Sequence, residues 1–315
     1  MLLIFALQLF LPLLFVGWLC FVPPRGSLAF FAQAVATSAA LLAVILTGLW
    51  LFPPWWASWV FTLLLLVAAL IGWRRRYPFE SRLPSGWLAW VFMTVFVGIG
   101  GWGAYQSVLA LAGRASQPGT VVELAFPLKS GTYQAVNGGS SLNVNAHLMT
   151  LDASMARFRA YRGQSYGVDI VKLNGWGLRA SGLLPSQPSA YNIYGEPVYA
   201  PCTGQVIATQ DGLPDMQVPQ TDREHMAGNH VLLRCKDADV LMGHFKPGSL
   251  KVAVGQQVTV SQHIANVGNS GNTGEPHLHV HAQQAGTAAA PFSGEPLPVR
   301  FDGRFLVRND RFSSL

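Results

Sequence analysis

The chain has 315 residues, half of them hydrophobic and only 11% charged, with a formal net charge of +6. An ordinary soluble domain is about 25% charged, so part of this chain is not built for water. The excess charge does not call for nucleic acid: residues 1–114 hold six Arg and one Glu (+5), and residues 115–315 hold fifteen Lys plus Arg against fourteen Asp plus Glu (+1).

Four apolar stretches, residues 2–22, 28–52, 55–73 and 87–111, each offer the roughly 20 residues a helix needs to cross a bilayer. Pro23-Pro24 and Pro53-Pro54 break the chain between stretches. Trp18, Trp50, Trp55, Trp56, Trp73 and Trp87 sit near their ends, as interfacial aromatics do. The first stretch has neither a basic leader nor a small-residue cleavage site, so it reads as a span and not as a signal peptide. Cys20 reads as a thiol buried in that span. The spans carry no ionisable residue well inside them, which argues for an anchor or a surface for membrane partners over an ion path. Arg25 lies between spans one and two, and Arg74, Arg75, Arg76 and Arg82 between three and four. Positive-inside places both loops in the cytoplasm and everything after Arg114 outside.

Residues 115–125 read as a linker, with strands beginning near 122–126. Residues 132–145 are rich in Gly, Ser and Asn and read as turns and short strands. Beyond residue 115 no stretch keeps a 3.6-residue apolar period, so the second half is expected to be a mostly antiparallel β domain. Asp169 stands among Val168, Ile170 and Val171. An Asp inside a strand is disfavoured unless a metal or a dense set of donors compensates it; a simple turn Asp is the alternative. Residues 173–192 and 210–227 are long connections that either wall a cleft or decorate the fold. Cys202 precedes a strand at 205–209 and Cys235 ends one at 230–234. If those strands pair antiparallel, an exported domain would bridge the two thiols; free buried thiols are the alternative. Asp302-Gly303 reads as a hairpin turn, to which no chemistry is assigned.

Residues 268–281 read Gly-Asn-Ser-Gly-Asn-Thr-Gly-Glu-Pro-His-Leu-His-Val-His. Strand alternation puts His277, His279 and His281 on one face. Such a face is a metal edge, or else the polar side of a His-rich strand. The Gly-rich lead-in lacks the Lys-Ser/Thr ending of a phosphate loop and runs into a strand.

The run Ser270–His279 resembles the signature of the M23 (lysostaphin/LytM-type) zinc metallopeptidases. Further blocks resemble that family in order: Gly167-Val168-Asp169-Ile170, Pro197–Pro201, Gly228-Asn229-His230-Val231, Met242-Gly243-His244-Phe245 and Val254–Val258. The resemblance runs from about residue 126 to residue 284. It implies an M23/LytM-like antiparallel β-sheet fold behind four transmembrane helices. The expected division is 1–114 for the helices, 115–125 for the linker, 126–290 for the peptidase domain and 291–315 for a C-terminal extension. It implies zinc held by Asp169 and His279, with His244 and His277 acting on the attacking water and on the oxyanion. The family's first zinc-ligand His stands four residues before the Asp, where this chain has Ser165, a poor zinc ligand. His147 is the candidate for the missing ligand, followed by His281 and His230. The implied activity is zinc-dependent cleavage of peptidoglycan cross-link peptides on the outer side of a bacterial inner membrane. The alternative is a non-catalytic module that binds cell wall or regulates a partner cell-wall hydrolase.

Overall fold

The chain, seen in a computed structural model, divides into two compact units, Met1–Leu111 and Ala112–Leu315. Residues 2–116, 119–159, 161–286, 292 and 294–314 are described. Positions 117–118 of the expected linker, 160 and 287–290 of the expected peptidase domain, and 291, 293 and 315 of the expected extension lie outside the described residues.

The first unit holds α1 (Leu2–Phe21), α2 (Ser27–Thr47), α3 (Ala57–Arg76) and α4, which runs from Trp87 to Ala112. All four are long and apolar enough to cross a membrane. α2 stops at Thr47, short of the expected residue 52, because Gly48 leaves helical geometry with ψ 157°. α3 runs past the expected residue 73 so that Arg74, Arg75 and Arg76 occupy its last turn, the end of a helix where cations are favoured. Gln8 is a buried polar side chain in α1. It is satisfied by the Leu49 peptide, donating to the carbonyl at 3.1 Å and accepting from the N–H at 2.5 Å. Gly103 of α4 lies so close to α2 that a Cβ there would stand 2.8 Å from Ala40 N. Close approach at small residues is how helices associate in lipid.

The second unit contains β1 (Val122–Leu124), β2 (Gly131–Asn137), β3 (Val168–Leu173), β4 (Pro197–Tyr199), β5 (Gly204–Gln210), β6 (Asn229–Cys235) and β7 (Ala238–Phe245). It continues with β8 (Gln257–Val258), β9 (His263–Asn266), β10 (Leu278–Gln284), β11 (Pro296–Leu297), β12 (Val299–Phe301) and β13 (Arg311–Ser314). The main sheet runs β13-β2-β3-β10-β7-β6-β5-β8, with β11 beside β10. Every pairing in it is antiparallel; β1 with β12 is a separate parallel pair. Val168, Ile170, Val240, Met242, Leu278 and Val280 belong to one buried apolar cluster. Alternation leaves Asp169, His279 and His281 to the opposite face of β3 and β10. Three short helical pieces, Ala146–Leu151, Ala156–Arg159 and Arg162–Tyr166, lie between β2 and β3. They are too short to show a helical period in sequence.

β5 and β6 pair antiparallel with Gln205 opposite Arg234. That register brings Cys202 and Cys235 together, and they form a disulfide with Cα atoms 5.9 Å apart. The Asp302-Gly303 turn is also present, with φ of 48° and 76° between the bridged residues Phe301 and Arg304.

Candidate metal centre

The centre is assembled across three adjacent strands. On β10, His279 pairs in register with Asp169 of β3 on one side and Gly243 of β7 on the other. His279 Nδ1 lies 2.8 Å from Asp169 Oδ1. His277, just ahead of β10, places its Nε2 3.4 Å from the same carboxylate oxygen. His244 arrives by a different device. The pairing of β6 with β7 slips between Asn229 and Val231, and His244 has a left-handed backbone, φ 66°. A bulge of this kind re-aims a side chain next to a site. The Ala227 carbonyl accepts the His244 backbone N–H at 2.9 Å, and its Nδ1 lies 2.8 Å from the Ser270 carbonyl. His244 and His277 then pack with their rings tilted at 60° and centroids 4.7 Å apart.

Ser165 occupies the position four residues before Asp169 but does not face the carboxylate as a ligand. Its hydroxyl donates to the Arg162 carbonyl at 2.6 Å and is 2.7 Å from Thr150 Oγ1. Thr150 belongs to the 3₁₀ turn Ala146–Leu151, which also carries His147. The Ser165–Thr150 contact therefore packs the two 3₁₀ turns together and brings His147 to the Asp. His147 Nε2 stands 3.4 Å from Asp169 Oδ2. Its Nδ1 faces Asn145 Oδ1 at 3.0 Å and the Gly167 carbonyl at 3.3 Å. Both neighbours are acceptors, so Nδ1 carries the hydrogen and Nε2 keeps the lone pair toward Asp169. Gly167 makes the approach possible: a Cβ there would lie 2.8 Å from His279 Cε1 and 3.4 Å from His147 Nδ1.

Two groups of side chains could hold a metal ion among the described residues: His147, Asp169 and His279, and His244, His277 and His279. Within each, the ligating atoms lie within 4.8 Å of one another. His281 and His230, the second and third candidates for the vacant ligand position, are not brought to Asp169. His281 Nδ1 instead meets His279 Nε2 at 2.9 Å. His230 is held by the Gly228 carbonyl at 2.8 Å, with its ring against Phe292.

Burial pushes the Asp169 carboxyl up, but the imidazoles of His147 and His277 outweigh it and hold it well below the usual carboxylate range. Burial lowers His147 to about 4. Burial, reinforced by His277 and His279, puts His244 well below the ordinary imidazole value. Burial also pulls His277 down, yet the Asp169 charge wins and the net shift is upward. The centre thus pairs a neutral imidazole, His244, with one biased toward protonation, His277. Pushing two neighbouring groups apart in this way suits one to accept a proton and the other to donate.

Residues without a sequence signal complete the centre. Asn137 donates to Asp169 Oδ2 at 2.8 Å, and Arg308 Nη2 donates to Asn137 Oδ1 at 2.9 Å. Arg308 lies in the C-terminal segment, to which the sequence assigned no chemistry. Asn145 sits at the start of the His147 turn and donates to the Gly139 and Gly167 carbonyls at 3.1 and 3.2 Å. The two long connections diverge in role. Residues of 210–227, among them Leu213, Glu224 and Met226, line a cavity of about 350 Å³ that His244, His279 and His281 also border. The 173–192 connection is tied down instead by Arg179, whose Nε donates to both Glu275 carboxylate oxygens at 2.8 and 3.0 Å. The Glu275 carbonyl lies 2.9 Å from His277 Nδ1.

Among known proteins, residues 190–291 match the model of peptidase family M23. That segment contains His244, His277 and His279 but begins after Asp169. No curated protein matches the chain. A zinc-containing peptidase from Vibrio cholerae is 28% identical over 30% of this chain and 24% of its own, with a TM-score of 0.23. The match thus spans about a quarter of that protein's length. The catalytic domain of lysostaphin from Staphylococcus simulans is 22% identical over 40% of this chain and 71% of its own, with a TM-score of 0.26. With the strand that carries His277 and His279 set beside Asp169, residues 190–291 of this chain are similar to peptidase family M23.

Proposed function

We propose that the protein is a membrane-anchored zinc endopeptidase that cuts peptidoglycan cross-link peptides on the outer side of a bacterial inner membrane. The observation that supports this most is the approach of His147 Nε2 to 3.4 Å from Asp169 Oδ2, from a turn outside the family's usual ligand position. Two imidazoles and a carboxylate are the donor set of a catalytic zinc site with one position left open. His147, Asp169 and His279 would hold the ion. Zinc, when bound, supplies a Lewis acid for the scissile carbonyl and for the attacking water. His244 has its Nδ1 committed to the Ser270 carbonyl, so its Nε2 is the acceptor that takes the proton from water. His277, whose Nδ1 is held by the Glu275 carbonyl, would present its Nε2 to the oxyanion. The 350 Å³ cavity bordered by His244 and His279 is the place for the substrate chain. Arg25, Arg74, Arg75, Arg76 and Arg82 hold their loops on the cytoplasmic side and leave the β domain outside.

The test is digestion of purified cross-linked peptidoglycan fragments by the zinc-loaded full chain, read by mass spectrometry. A new amine and carboxyl at a peptide bond is expected. His244→Ala and His277→Ala should each slow it at least about 100-fold, as removal of a general acid or base does. Ser165 in place of a ligand His favours one other reading, a non-catalytic module that grips cell wall or a partner hydrolase. Intact fragments retained by a zinc-loaded protein would select it.

A further inference from the structure

The unit Met1–Leu111 holds a cavity of its own, about 420 Å³, where α1, α2 and α4 meet the connections between them. One wall is aromatic. The Trp18 ring of α1 meets Phe92 and Phe96 of α4 edge-on, with centroids 5.9 and 5.1 Å apart. Ala29 of α2 and Phe96 are buried in the lining, whereas Leu88 and Phe92 are about half exposed, 52% and 48%. At helical rise the lining from Leu88 to Phe96 follows α4 for about 12 Å. That approaches the depth of one leaflet, half of a hydrocarbon core about 30 Å thick.

Arg25 lines the same cavity from the connection between α1 and α2. Its side chain is exposed and has no hydrogen bond or ion pair among the described residues. Two neighbouring guanidinium groups are already committed. Arg75 Nη1 donates to the Cys20 carbonyl at 3.1 Å and Arg76 Nε to the Pro23 carbonyl at 2.8 Å, closing the end of α1. The connections themselves are tied together: the Ser27 N–H donates to the Ser81 carbonyl at 3.0 Å and the Leu28 N–H to the Arg82 carbonyl at 3.1 Å. Arg25 is therefore held at the connection end of an apolar slot. The charge at that end is one-sided. Arg25, Arg74, Arg75, Arg76 and Arg82 stand against Glu80, the single acid of residues 1–114.

We propose that this cavity binds one acidic phospholipid, with an acyl chain against Trp18, Phe92 and Phe96 and the phosphate at Arg25. A guanidinium is matched to phosphate oxygens, and a basic residue at the membrane surface favours an anionic lipid over a neutral one. A free anion would use the guanidinium and leave the aromatic wall uncovered. An uncharged chain would cover the wall and leave the guanidinium without a partner. The proposal rests on the four helices spanning a membrane and uses nothing of the metal centre.

The experiment titrates the full chain, stripped of lipid in detergent, with phosphatidylglycerol or with phosphatidylcholine of the same acyl chains. Native mass spectrometry reads the bound molecules. One phosphatidylglycerol should bind at least about fivefold more tightly than phosphatidylcholine, and glycerol phosphate, which has no chain, should not bind. Arg25→Gln should lose about fivefold in phosphatidylglycerol affinity, whereas Arg74→Gln, outside the cavity lining, should lose less than about twofold. Ala89→Phe, which fills the slot from α4 and leaves Arg25 in place, should also weaken phosphatidylglycerol binding. Equal binding of the two lipids by the parent overturns the proposal. So does unchanged binding in Ala89→Phe, or an equal loss in Arg25→Gln and Arg74→Gln, which is the mark of diffuse surface charge. Glycerol phosphate bound as tightly as the lipid would make this a free-anion site and overturn it as well. If Arg25→Gln does not fold, the headgroup comparison and Ala89→Phe still decide.

Discussion

Three of the imidazoles at the centre are oriented by main-chain carbonyls: His147 by Gly167, His244 by Ser270 and His277 by Glu275. Carbonyls fixed in this way set which ring nitrogen is free, and side-chain substitution next door cannot remove them. The buried rings also make stability depend on pH. His147, His230, His244 and His281 are all shifted below the ordinary value of 6.5, burial being the largest cause for each. A group with a depressed folded pKa contributes stability that is present above its unfolded pKa and lost as pH falls through the folded one. His277 is raised and acts in the opposite sense, but it is one ring against four. The zinc-free protein should therefore melt at lower temperature at pH 5 than at pH 7 in a calorimetric scan, and equal melting temperatures would contradict this assignment of charge. Asp169 and the His277/His279/His281 face were legible in the sequence because ionisable residues stand out in an apolar strand of period two. Asn137, Asn145 and Arg308 were not. Each is an ordinary polar residue in its local sequence and gains its role only when β2, the His147 turn and the C-terminal segment meet.

Among the elements, the strand order does most to place the site. β3, β10 and β7 lie side by side, so three sequence blocks that are far apart become neighbours in register. The alternation rule anticipated this sheet and the disulfide between β5 and β6. It did not anticipate the bulge that turns His244 inward, because a register slip leaves no mark on hydrophobic patterning. Nor did it anticipate the paired 3₁₀ turns, whose Ser165–Thr150 contact brings His147 to the Asp from outside the motif. Gly167 lies between the His147 and His279 rings. Gly167→Ala adds a Cβ 2.8 Å from His279 Cε1, and its φ of −59° is in a region that Ala adopts freely. The same Cβ also stands 2.9 Å from the Gln164 carbonyl, so the turn must shift as the rings are pushed apart. Zinc affinity is expected to fall at least about tenfold, together with a lower melting temperature. An Ala variant with parental affinity would show that the rings need not approach so closely. The Arg179–Glu275 pair explains why the 173–192 connection is more than decoration. A buried ion pair adds little net stability over apolar replacements, but this one fixes the turn whose carbonyl holds His277.

At the scale of the whole molecule, the chain joins four membrane-compatible helices to a β domain of nearly neutral charge. In the proposed topology, the Arg residues beside the helix ends keep their loops in the cytoplasm. A phosphatase reporter fused after residue 315 should be active, as it is only outside the cytoplasm, whereas one fused in the Arg74–Arg82 loop should be silent. The opposite pattern would reverse the orientation. The claim that matters most is that His147 replaces the ligand missing at Ser165. It is tested by the zinc content of the purified full chain after chelation, reloading and buffer exchange. One zinc per chain is predicted for the parent and for Ser165→Ala. Less than about a tenth of that is predicted for His147→Ala, since two remaining ligands do not make a catalytic zinc site. Full zinc retention by His147→Ala, or none in the parent, would contradict the account.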